Sequence, residues 1–294
     1  VEHIKKYEAC PVCESTQLDT HMQVKDWMIT QESFTIQKCV SCGFHFTNPI
    51  PSEETIGAYY KSEDYVSHSS TNKGVVNKLY NAVRTITLDR KVSLIRSYAK
   101  GNNILDIGSG TGHFLNACQL SGLNVQGLEP DEDARAFAKS NFNLDLERLD
   151  TLQSIEADSK DVITMWHVLE HVYHLKRDVA EIVRVLKDKG TLFIAVPNMN
   201  SYDAKVYKEY WAAYDVPRHL YHFQENTIKN LFTQFDMECV NIFPMKFDSY
   251  YVSMLSEKYK GGNIVKAFFN GWLSNLKSDS NGYSSQIYVF KKKL

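Results

Sequence analysis

One segment constrains this chain more than any other: Ile104-Leu105-Asp106-Ile107-Gly108-Ser109-Gly110-Thr111-Gly112. An apolar run that breaks into Gly-x-Gly-x-Gly reads as a short buried strand, a tight loop and the opening of a helix. Glycines let the backbone approach a ligand closely, and the free N–H groups at a helix start favour polar or anionic ligand atoms. About twenty residues on, Val125-Gln126-Gly127-Leu128-Glu129 reads as a second strand that ends in a carboxylate. A carboxylate there accepts hydrogen bonds from both hydroxyls of a ribose. Together the two segments imply a nucleoside-bearing ligand lying across the first two strands of a doubly wound sheet.

The cysteines add a second constraint. Four of the six form two C-x-x-C hooks, Cys10/Cys13 and Cys39/Cys42, separated by 25 residues. Two such hooks offer four thiolates to one zinc ion, and an all-cysteine set leaves no open position for water, so the expected zinc is structural. Gly43 after the second hook suits a knuckle. The competing reading, two disulfides or a redox pair, fits poorly in a reducing compartment. Cys118 and Cys239 read as core residues. At 294 residues and a formal charge of −2, the chain is long enough for a large core and too balanced for a broad nucleic-acid face. No apolar run reaches the roughly 18–20 residues that span a bilayer, and no basic-then-apolar leader opens the sequence. The expectation is a cytoplasmic protein with no membrane partner; the oligomeric state is left open.

Along the chain, residues 1–50 read as the zinc-ribbon-like module, closed by Asn48-Pro49-Ile50-Pro51. Residues 51–100 read as a helical linker or cap, with a short helix over 52–61, a polar break near 67–72, and one or two helices from 75 to 99. From 101 the pattern alternates. Strands are expected at Asp106, at Glu129, over 144–149, 161–166 and 191–196, and then over 237–243 and 286–290. Helices are expected near 112–120, 132–140 and 177–187. That is a seven-stranded, doubly wound Rossmann-like α/β sheet over 101–294, with a substrate-facing insertion at about 199–235.

Two cofactor classes use this geometry. A dinucleotide site places its third glycine where His113 stands here. The order acid, aliphatic, Gly-x-Gly-x-Gly instead resembles motif I of the class I S-adenosylmethionine-dependent methyltransferases. The resemblance extends along most of the chain and narrows to small-molecule enzymes with an N-terminal four-cysteine module. It is carried by Glu129-Pro130, Trp166-His167-Val168-Leu169-Glu170-His171, Arg184-Val185-Leu186-Lys187, Val196-Pro197-Asn198 and Pro217-Arg218-His219-Leu220. It implies S-adenosylmethionine as cofactor beside the structural Zn(2+). Asp106, Gly108, Ser109 and Gly110 would line the methionine portion, Glu129 and Pro130 the ribose, Leu149 and Asp150 the adenine, with His167 abutting the cofactor.

The partner expected is a small-molecule methyl acceptor. A sulfonium is already an activated donor, so the protein mainly aligns two reactants and excludes water. A hydroxyl or acidic C–H acceptor benefits from a base, and His171, after the fourth strand, is the candidate. His167-x-x-Glu170-His171 also spells an inverted zinc-peptidase pattern, which requires one long helix and finds little helix here. Seven aromatics lie between Tyr202 and Phe223. Of that stretch Trp211, Tyr214, Arg218, His219 and His222 are candidate substrate contacts, and Tyr60 and Tyr65 candidate caps on the cofactor. O-methylation of a saccharide, lipid or quinone-like compound is favoured. The rivals are C-methylation of a sugar nucleotide, an rRNA methyltransferase gripping RNA with its ribbon, and a non-enzymatic cofactor-binding scaffold. Balanced charge, and the lack of an Asn/Asp-Pro-Pro-Tyr segment after the fourth strand, weigh against RNA.

Overall fold

The computed structural model describes residues 4–60 and 75–293; Tyr65 and the polar break near 67–72 lie outside them. The N-terminal module is made of β1 (Ile4–Lys5), β2 (Leu18–Lys25), β3 (Ser33–Cys39), β4 (His45–Thr47) and β5 (Ile50–Pro51). In place of the expected helix over 52–61, a single 3-10 turn runs from Ile56 to Tyr60. α1 (Val75–Tyr98) then delivers the chain to the main sheet.

That sheet alternates as expected through β6 (Asn103–Ile107), α2 (His113–Leu120), β7 (Asn124–Leu128), α3 (Glu132–Phe142), β8 (Lys160–Trp166), α4 (Leu175–Val185) and β9 (Leu186–Pro197). After β9 come α5 (Tyr202–Tyr207), β10 (Tyr221–His222), α6 (Glu225–Thr233), β11 (Met237–Pro244), α7 (Asp248–Lys260), α8 (Ile264–Leu276) and β12 (Ser285–Lys292). The strand order is β11-β12-β9-β8-β6-β7, with β6, β7, β8 and β9 parallel and β11 and β12 antiparallel. The strand expected over 144–149 shrinks to one bridge between Leu128 and Glu147, followed by a 3-10 turn from Leu149 to Ser154. Asp145, Glu147 and Arg148 alternate with leucines there, so half of this edge segment is better left in water than extended into a full ladder. β9 starts at Leu186 rather than Thr191, because a register shift against β8 absorbs residues 187–190.

The fold ties together segments distant in sequence. β10, inside the 199–235 insertion, pairs with β4, so the module's four-stranded sheet runs β10-β4-β3-β2. Cys10, Val12, Phe44 and Phe46 share one buried cluster with Leu105, Ile163 and Ile194 of the main sheet and with Leu220 and Phe223 of the insertion. The zinc-ribbon-like module therefore packs as an extra layer over the insertion and does not hang free from it.

Candidate functional site

The site forms at the carboxyl ends of β6, β7 and β8, the edge where doubly wound sheets bind ligands. Gly108 has φ 73°, and a Cβ there would stand 2.4 Å from Val168 Cγ2, so only glycine fits. Gly110, at φ 52°, faces open space, where a Cβ would meet nothing. The amides of Gly108 and Ser109 donate to Leu128 O at 2.8 and 3.0 Å, which ties the loop to β7.

Two carboxylates flank the loop. Asp106 is buried and accepts from Thr164 Oγ1 at 2.5 Å. Burial pushes its carboxyl up to about 7 against that hydrogen bond and the pull of Lys91. Glu129 accepts from Gly110 N at 2.7 Å and from Asp131 N at 3.0 Å, which leaves lone pairs on both oxygens. Pro130 is exposed beside it, and Asp131 caps α3. Leu149 is half-buried against the main core and Asp150 is exposed; both follow Glu147, whose carbonyl accepts from Glu129 N at 2.8 Å. That places the pair alongside Glu129 on the sheet edge.

The segment after β8 forms the other wall. His167 has φ 58°, and its ring sits between Asp248 of α7 at 3.1 Å and Glu170 at 3.4 Å. Burial alone would lower its pKa; the two carboxylates more than offset it and raise it to about 9. Glu170 is fully buried, its carboxylate makes no hydrogen bond among the described residues, and it depends on its charged neighbours. His171 Nδ1 lies 2.9 Å from Arg218 O and 3.0 Å from Tyr60 Oη. A carbonyl only accepts, so Nδ1 carries the proton and Nε2 keeps its lone pair. Burial, and the charge on His219, push His171 down to about 4. The segment is a single 3-10 turn from Leu169 to His171, so it does not place His167 and His171 on one long helix as the peptidase pattern needs.

The five residues expected to touch substrate divide sharply. His219 is half-buried beside His171, ring to ring at 4.6 Å, with Nδ1 donating to Ala213 O at 2.9 Å. The other four are packing residues, which corrects the reading of the aromatic stretch as a substrate-facing surface. Trp211 and Tyr214 are 2% exposed, and Trp211 Nε1 donates to Asp203 at 2.8 Å. His222 is buried with Nε2 3.0 Å from Thr47 Oγ1. Arg218 is 1% exposed and binds Asp215, Asp26 and Tyr59 O, so its guanidinium is committed within the fold. Cys118 is buried as expected, whereas Cys239 is only half-buried.

Two site residues escaped the sequence reading. Asp248 lies 81 positions from His167, and nothing local marks it. Lys91 sits one position from buried Val92 on α1, with Nζ 4.0 Å over the Trp166 ring and no hydrogen bond or ion pair among the described residues. Burial lowers its pKa to about 8, against the pull of Asp248 and Asp106. A lysine on the buried stripe of a helix was the available signal.

The four hook cysteines converge. Their Sγ atoms lie within 4.8 Å of one another, with Cys10–Cys42 at 3.6 Å and Cys13–Cys39 at 3.5 Å. Those spacings are far beyond a disulfide bond and near the edge of about 3.8 Å that a zinc–thiolate tetrahedron requires. The donor set fits zinc. Glu170, His171 and His219 also bring possible ligand atoms within 4.8 Å, but His167 already faces that carboxylate.

Residues 84–242 match the family described as a methyltransferase domain. The chain belongs to that family. Its Rossmann-like fold is that of the class I S-adenosylmethionine-dependent methyltransferases. A methyltransferase of that dependence from Archaeoglobus fulgidus superposes with a TM-score of 0.52 at 20% identity, over 71% of this chain and 94% of its own. Among curated relatives, ubiquinone biosynthesis O-methyltransferases from Coxiella burnetii and Rickettsia bellii are 29% and 28% identical. They cover 42% and 45% of this chain and 53% and 59% of their own length. The chain thus spans little more than half of the curated relatives it matches. Among the described residues, no helix of this chain is long and apolar enough to cross a membrane.

Proposed function

We propose that this chain methylates a hydroxyl of a small molecule, with His171 as general base. The supporting observation is the His171 tautomer: Arg218 O holds the proton on Nδ1, which leaves Nε2 as an acceptor at the sheet edge. The names of the curated relatives support an oxygen acceptor of quinone-like chemistry.

S-adenosylmethionine, when bound, supplies a methyl group on a sulfonium, an electrophile that needs no further activation. The residues fit such a donor. The open face at Gly110 lets a ligand approach the backbone closely. Glu129 retains lone pairs for ribose hydroxyls, with Pro130 beside it, and Leu149 and Asp150 stand at the adenine end. Asp106, Gly108 and Ser109 border the amino-acid end. Lys91, whose ammonium contacts aromatic faces, is placed to take a carboxylate there. Half-buried His167 and buried Glu170 form a charge pair that orients the turn carrying His171. His171 accepts the acceptor hydroxyl's proton at Nε2 as oxygen attacks the methyl carbon, and later releases it to solvent. His219 borders the acceptor side. We also propose that residues 1–50, with zinc on Cys10, Cys13, Cys39 and Cys42, act as a brace for the 199–235 insertion.

Turnover with labelled donor and a panel of phenols, catechols and saccharides tests the reading. His171→Ala is expected to leave calorimetric affinity for S-adenosylhomocysteine unchanged and to cut turnover on the order of 10²–10⁴-fold. Equal turnover in both proteins would remove the base.

A further inference from the structure

The helical hairpin between β11 and β12 is built inside out. α8 turns its small residues inward: Ala267, Gly271 and Ser274 are buried, and Ser249 of α7 donates to Gly271 O at 3.0 Å. A Cβ on Gly271 would come within 2.9 Å of Tyr250 Cα, so the two helices touch backbone to backbone. The large apolar side chains face out. Val265, Phe268, Phe269, Trp272 and Leu276, spaced along one face of α8, are 74%, 59%, 56%, 48% and 57% exposed. Phe247, at the start of α7, and Tyr251 and Met254 on it continue the pattern at 40%, 45% and 41%. An amphipathic helix of a water-soluble surface has the opposite arrangement, and an exposed apolar face of this extent marks an interaction surface.

Charge identifies what covers it. Between residues 258 and 279 the chain carries exposed Lys258, Lys260, Lys266 and Lys277 against one acid, Asp279. The neighbouring Glu257 is buried, and Asp248 is held by His167. A second copy of this chain would set the same lysines against themselves in a two-fold contact. Phe, Trp and Leu on one face with lysines around them instead match a helix lying in the headgroup layer of a negatively charged membrane.

We propose that the α7–α8 hairpin seats this protein on an anionic phospholipid surface. α8 lies in the plane of the surface and does not cross it, so the lack of a spanning run in the sequence has no bearing on it. Asp248 opens α7 and holds His167, so the lipid-facing hairpin is joined directly to the wall of the site.

Co-sedimentation of the full chain with phosphatidylcholine vesicles, with and without about 30% phosphatidylglycerol to make the surface negative, tests this without any methyl transfer and so stands apart from the acceptor assignment. The wild type is expected to pellet with the anionic vesicles, to be released as salt rises, and to show a blue-shifted Trp272 emission that Trp272→Phe removes. Phe268→Ser with Phe269→Ser, at exposed positions that leave the fold intact, should lower the pelleted fraction roughly tenfold, and Lys260→Glu with Lys266→Glu should do the same at low salt. Wild-type protein that stays in the supernatant with anionic vesicles at low salt overturns the proposal. So does a dimer in light scattering that the Phe268 and Phe269 changes dissolve, since the face would then belong to a second copy.

Discussion

Arg218 Nη2 lies 2.9 Å from Asp26 Oδ1, joining residues 192 positions apart in a contact that water scarcely reaches. Asp215 binds the same guanidinium at 2.6 Å. Burial would raise both carboxyls; the guanidinium more than offsets it and holds them low. The bridge fastens the turn after β2 to the loop whose Arg218 carbonyl orients His171. Arg218→Leu strands buried Asp26 and half-buried Asp215, a change that costs on the order of 3–5 kcal/mol. Urea unfolding should show that loss. A stable Arg218→Leu protein with only acceptor binding impaired would restore Arg218 to the substrate.

His167 and His171, four positions apart, titrate in opposite directions, and the signs can be tested. His167 is raised from 6.5 to about 9, so the folded state holds its proton more tightly than the unfolded one. Its contribution is complete below about 6.5 and is lost as pH rises through about 9. His171 is lowered to about 4, so its contribution is present above about 6.5 and is lost as pH falls toward 4. Melting temperatures of wild type and His167→Gln should converge between pH 6.5 and 9. A gap that stays constant with pH would show that the Asp248–His167–Glu170 contacts carry no net charge stabilisation.

Much of the scaffold was legible because its signals are local. The Gly-x-Gly-x-Gly run after β6, a carboxylate closing β7, and each C-x-x-C hook declare themselves within a few residues. What stayed hidden depends on partners far away in sequence. Arg218 reads as a substrate cation until Asp26 is brought beside it, and Trp211 reads as a substrate contact until Asp203 takes its indole N–H. β10 is two residues long and exists only because β4 offers it an edge. The third strand failed for a local reason, alternating charge at a sheet edge, that hydrophobic spacing alone had overridden. α8 misleads in the other direction, since its small residues are the buried ones.

Glu129 gives a sharper test of the donor pocket than the glycines do. Its carboxylate already accepts from Gly110 N and Asp131 N, so the loop is pre-shaped before any ligand arrives. Glu129→Gln keeps the size, removes the charge and turns one oxygen into a donor that faces an N–H. A lost hydrogen bond to a charged group corresponds to about 1.5–3 kcal/mol, or roughly 10- to 100-fold in Kd. Calorimetry should find that loss for S-adenosylmethionine and S-adenosylhomocysteine alike, because the ribose is common to both. Unchanged affinity for both would place the nucleoside elsewhere.

Removing the metal should separate the two halves of the site. Cys10 and Cys39 are buried in the cluster that also holds Leu220, Tyr221 and Phe223, and Tyr60, just beyond the module, reaches His171 at 3.0 Å. Loss of zinc therefore loosens the acceptor side first, while Asp106, Gly110 and Glu129 are held by β6 and β7. Elemental analysis of the wild type is expected to find one equivalent of zinc, and Cys39→Ser, or treatment with a strong chelator, is expected to abolish it, to lower Tm, and to expose the 199–235 segment to protease. Affinity for S-adenosylhomocysteine should persist below the new melting point. Zinc-free protein with an unaltered Tm and protease pattern would show that the module is no brace. Donor binding lost together with the zinc would show that the two halves fold as one.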